Sequence, residues 1–94
     1  MTHNILLTPG DGIGPEVIDE TQRVLGWFSK NRNFAFHTES APIGGIAYET
    51  TGNPAPDSTI EKAKKADAVL FGAVGGPQWD KLPFDQKPER GILR

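Results

Sequence analysis

The chain has 94 residues, 12 acids against 10 bases and no cysteine. That is one small domain with a net charge of −2, without the basic excess of a nucleic-acid face, without a disulfide framework, and without an apolar run near the ~18 residues of a membrane span. Its first apolar stretch meets Pro9 at once and has no basic start, so it does not read as a secretory signal; a cytoplasmic protein with no nucleic-acid or membrane partner is expected. Ordering 94 residues costs on the order of 140 kcal/mol. Apolar burial in a fully closed globule of this size returns about the same, ~140 kcal/mol, so the chain is expected to lean on partners or on further chain.

The run NILLT, residues 4–8, is short, apolar and bounded by Pro9 and Gly10, which predicts a buried strand. After a glycine-rich turn, Pro15 suits the first position of a helix and Glu16 the positive end of its dipole. Val17, Ile18, Thr21, Val24, Leu25 and Phe28 recur at helical spacing and predict a helix from Pro15 to Ser29 with that stripe on a core. FAFHTES alternates as a half-buried strand, and PIGGIAYETTGNPAP reads as loop with turns. Ser58 and Glu61 form a capping-box pattern for a helix ending near Ala66, with Lys62, Lys64 and Lys65 toward water. ADAVLFGAV predicts another buried strand. From Pro77 onward there is little regular period, which predicts a long C-terminal loop. Strand–helix–strand–helix–strand argues an α/β fold with parallel pairing and no internal domain boundary.

The first glycine turn, LTPGDGIGPEV, invites comparison with the dinucleotide fingerprint G-x-G-x-x-G. Its third glycine comes one position early, at Gly14, and Pro15 stands where the fingerprint wants glycine. Asp11 sits inside the turn, where a carboxylate would repel a pyrophosphate. The Rossmann fingerprint is therefore a poor reading, and a strand-to-helix turn needing positive φ, with Asp11 as turn former, is the better one. The second cluster, GAVGGPQWD, follows a predicted strand and so lies at a carboxyl edge, where open α/β sheets bind ligands. There Trp79 offers a flat face or caps the sheet, and Asp80 offers a charge or is a solvated loop acid. His3 and His37 are isolated, and Asp11, Asp67, Asp80 and Asp85 make no metal motif.

Three stretches together are specific: LTPGDGIGPEV, then GGIAYETTGNPAPDSTIEKAKKADAVLFGAVGGPQWD, then LPFDQKPERGIL. They resemble the N-terminal part of the 3-isopropylmalate dehydrogenases, within the metal-dependent β-decarboxylating dehydrogenases that also include isocitrate and tartrate enzymes. The resemblance runs from Ile5 to Leu93 and implies residues 1–94 are the N-terminal part of a larger dehydrogenase domain, a partial isopropylmalate-dehydrogenase-like α/β fold. It implies NAD binding without the Rossmann fingerprint and oxidative decarboxylation of 3-isopropylmalate to 4-methyl-2-oxopentanoate, a step of leucine biosynthesis. Mg or Mn would be the metal, with ligands outside this chain, and the full-length form a homodimer.

By the same resemblance, Ile13 contacts the adenosine side of NAD. Gly76, Pro77, Gln78, Trp79, Asp80 and Glu89 form the NAD segment beside the nicotinamide. Glu89 also nears the substrate, and Ile92 and Leu93 receive the isopropyl group, although ordinary core is an equal reading of that pair. No residue of this chain is expected to be catalytic or a metal ligand, so the 94-residue piece alone is expected to be inactive. A tartrate or D-malate enzyme, or a non-catalytic nucleotide-binding module, is the alternative.

Overall fold

The computed structural model describes residues 2–93, with the side chains of residues 85 and 91–93 outside the description. In chain order the elements are strand β1 (Thr2–Gly10), helix α1 (Gly14–Arg32), strand β2 (Ala35–Ser40), helix α2 (Gly45–Thr51), helix α3 (Asp57–Lys65) and strand β3 (Ala68–Ala73). Three short 3₁₀ turns follow, at Pro77–Trp79, Phe84–Gln86 and Pro88–Leu93, where the sequence predicts an irregular loop. The strands form one parallel sheet in the order β2-β1-β3, as the strand–helix alternation requires.

β1 is the centre. Ile5, Leu6 and Leu7 are buried on both faces, and Ile5 pairs with Thr38 on one side and Ala68 on the other. The strand runs through Pro9 to Gly10, past the predicted end. Its register with β2 stops at Leu7–Ser40, so a proline at position 9 interrupts no bond to β2. Alternation then sorts the faces: Ile5 and Leu7 meet Ile18 of α1, with Leu25, Phe36 and Leu70 packed around them.

α1 begins after Ile13 with Pro15 in its first turn, and ends at Asn33, whose left-handed φ of 58° stops the helix three residues beyond the predicted end. Its expected core stripe is only half right. Ile18 and Leu25 reach the sheet, whereas Val17, Val24 and Phe28 lie exposed. A three-strand sheet covers one flank of so wide a stripe and leaves the other uncovered. The flanking strands need the same correction. β2 is an edge on which Phe36 is partly covered, and β3, predicted as buried, is the opposite edge, with Val69 and Phe71 both substantially exposed.

Two local expectations also fail. The stretch predicted as loop contains α2, ended by Gly52 at φ 78°. The capping box at Ser58 does not form; the N-cap is Pro56, two residues earlier, and its carbonyl accepts from the Thr59 and Ile60 amides. Thr59 is buried instead, its hydroxyl donating to the Pro42 carbonyl at 2.8 Å. Lys62 reaches Glu39 of β2 at 2.9 Å with both side chains half-exposed.

The molecule is more open than a closed globule. Its accessible surface is 6135 Å², against ~5,300 Å² from the size scaling for a chain of this mass. The radius of gyration is 14.2 Å, against ~12 Å for a compact domain of this length.

Candidate functional site at the carboxyl edge of the sheet

Both glycine clusters arrive at the same end of the sheet. Gly10 pairs with Ala73 at the ends of β1 and β3, and the Asp11 amide donates to the Ala73 carbonyl at 2.6 Å. This is the carboxyl edge, where parallel sheets present loops to ligands.

Asp11 organises that edge. It is 2% exposed, and its carboxylate accepts three backbone N–H bonds: Oδ2 from Gly45 at 2.6 Å and from Gly75 at 3.0 Å, Oδ1 from Ile46 at 2.8 Å. Two of those donors open α2, so a carboxylate from the first loop serves the amides that a helix start leaves without partners. Sequence reasoning treated Asp11 as a turn former or a source of repulsion. The structure turns it inward, so its charge does not face a ligand, and the case against a Rossmann fingerprint rests on the glycine spacing and Pro15. The local sequence carries no signal for this role, because the donors lie 34, 35 and 64 residues away.

Around this point the predicted site residues are distributed unevenly. Ile13 is 66% exposed on the turn before α1, beside Gly12, whose surroundings are open space. Pro77, Gln78 and Asp80 are exposed on the first 3₁₀ turn, and Gly76 is half-buried ahead of them. Trp79 is 5% exposed: its indole lies flat against Gly45 in space that a Cβ at position 45 would occupy. The ring is therefore spent on packing, and the first 3₁₀ turn is anchored on α2. Glu89 is exposed at the third 3₁₀ turn, with Oε1 in the space that a Cβ at Gly75 would take; Gly75 has a φ of 104°. A side chain at position 75 would both strain the backbone and displace that carboxylate. The Ile92 and Leu93 side chains lie outside the described residues.

Sequence reasoning missed Asp11, the α2 amides and Tyr48, whose hydroxyl donates to Gln86 Oε1 at 3.2 Å and ties α2 to the second 3₁₀ turn. An apolar hollow of about 290 Å³ opens beyond β1 and β2, lined by Pro9, Gly10, Ala41, Pro42, Ile43 and Ile46. Among the described residues no group of three His, Cys, Asp or Glu side chains could hold a metal ion, and no helix is long and apolar enough to cross a membrane.

A parallel α/β sheet whose carboxyl edge gathers two glycine loops is the architecture of a ligand-binding α/β protein. The chain belongs to the isocitrate/isopropylmalate dehydrogenase family, whose model matches residues 4–94. It is 52% identical over 91 residues to 3-isopropylmalate dehydrogenase of Ruegeria pomeroyi, covering 97% of this chain and 25% of that protein. To the enzyme of the same name from Rhodospirillum rubrum it is 52% identical over 95 residues, covering 100% and 26%. In structure it is similar to the apo β-decarboxylating dehydrogenase of Thermococcus kodakarensis, with a TM-score of 0.70 and 36% identity over 86% of this chain and 23% of the other. The chain thus spans about a quarter of the length of the curated relatives it matches.

Proposed function

We propose that this chain forms one wall of the active site of an NAD-dependent 3-isopropylmalate dehydrogenase. The observation that carries the reading is the meeting of the Gly10–Gly14 turn, the start of α2 and Gly75 on the Asp11 carboxylate, in a chain about half identical to enzymes of that name. The residues present suit a dinucleotide on this wall. Gly12 leaves its backbone open, Ile13 offers exposed apolar surface, and Gln78, Asp80 and Glu89 offer polar groups along one rim.

In this reading NAD, when bound, accepts a hydride. Ile13 packs on its adenosine side, Gly76, Pro77, Gln78 and Asp80 line the nicotinamide side with Trp79 packed behind them on Gly45, and Glu89 stands between nicotinamide and substrate. Ile92 and Leu93 receive the isopropyl group, which aliphatic walls suit and a carboxylate would not. In this reading Mg or Mn, when bound, is held by ligands outside these 94 residues. With no catalytic group of its own, the 94-residue chain by itself is inactive. The whole enzyme is a cytoplasmic homodimer acting on a small acid.

The test is NADH formation by the chain continued to the length of its relatives, with 3-isopropylmalate, D-malate and tartrate as substrates. Leu93→Ala should lower kcat/KM for 3-isopropylmalate by ~10–200-fold, the discrimination that a methylene-sized contact supports, and leave D-malate little changed. An unchanged preference removes the isopropyl assignment.

A further inference from the structure

We infer that Asp11 is a positioning residue for the cofactor wall, holding residues 75–80 at both ends and setting the Glu89 carboxylate through Gly75. One end is direct: Asp11 Oδ2 accepts from the Gly75 amide, and Glu89 Oε1 fills the space that a Cβ on the same residue would take. The other end is indirect: Oδ2 also accepts from Gly45, and Gly45 is the surface on which the Trp79 indole rests. A single buried oxygen thus registers the start of the segment and the anchor near its end. If it moves, both ends move together.

The arrangement requires a carboxylate. Both oxygens are engaged, one by two donors and the other by one. An amide has one acceptor oxygen, and its NH₂ would confront a backbone N–H in either orientation. Burial leaves no room for solvent to make up the loss, and an unpaired buried donor is costly. Asp11→Asn, although nearly isosteric, therefore releases either Ile46 or the pair Gly45 and Gly75.

The inference rests on the reading of residues 76–80 and Glu89 as the nicotinamide wall, and two measurements separate the claims. In the full-length enzyme, Asp11→Asn should raise KM for NAD about tenfold or more. Its effect combined with Glu89→Gln should be smaller than the product of the two single effects, because both act on one carboxylate. Thr59→Val removes a different buried hydrogen bond, to Pro42, and serves as comparator: it should lower the melting midpoint without moving KM for NAD. Multiplicative effects of Asp11→Asn and Glu89→Gln, or a lowered midpoint with unchanged KM, overturn the inference.

The second measurement is amide hydrogen exchange on the unsubstituted full-length protein, which needs neither activity nor a folded variant. Gly45, Ile46 and Gly75 should exchange at least tenfold more slowly than the exposed Gln78 amide. Equal rates overturn the positioning role whatever the enzyme's substrate proves to be. Absence of turnover in the unsubstituted enzyme, with these amides protected, supports the positioning role and counts against the functional reading alone.

Discussion

β1 and β3 are written in the same apolar alphabet and end up in different solvents. NILLT sits between two strands with Leu6 and Leu7 essentially inaccessible, whereas AVLFGA lies at the rim with Phe71 41% exposed. Apolar content states what environment a strand suits; neighbours decide what it receives. A parallel strand carrying apolar side chains on both faces suits burial on both faces. β3 has that composition, and the described residues cover one face of it. The excess accessible surface has the same origin, as do Val17, Val24 and Phe28 on the far flank of α1.

Three substitutions sharpen this contrast. Leu7→Ala empties a site enclosed by Ile5 and Ile18 and should destabilise by ~2–5 kcal/mol, seen as a lowered denaturant midpoint at either chain length. Phe71→Ala should cost no more than about 0.5–1 kcal/mol in the 94-residue chain, as exposed substitutions do. In the chain continued to its relatives' length the same change should cost ~3–5 kcal/mol, the figure for a buried phenylalanine. Equal costs at both lengths would mean that β3 is an edge by design. Smallest is Lys62→Ala, which breaks the half-exposed pair with Glu39 and should move stability by less than about 1 kcal/mol, with the difference shrinking further in salt.

What was readable in the sequence follows the range of each interaction. NILLT, the Pro15 helix start and the parallel alternation follow from local patterns, and each appears in the structure, with β1 extending two residues beyond NILLT at either end. The family was readable too, from GAVGGPQWD and PERGIL taken together. What was not readable depends on distant partners. α2 sits in a glycine- and proline-rich stretch with no local capping residue, and its start is served by a carboxylate 34 residues upstream. The Ser58 pattern is a locally plausible cap that lost to Pro56 and to the burial of Thr59. At the site, the glycine clusters pointed to the right edge of the sheet, while the residue that unites them was visible only once the chain had folded.

The seat of Trp79 on Gly45 has a consequence for how this protein can change over generations. The indole already fills the place where even a methyl group at position 45 would grow. The coupling runs one way: a lineage that gains an alanine at position 45 must move or surrender the indole at 79, whereas a smaller side chain at 79 meets no such clash and leaves position 45 free to grow.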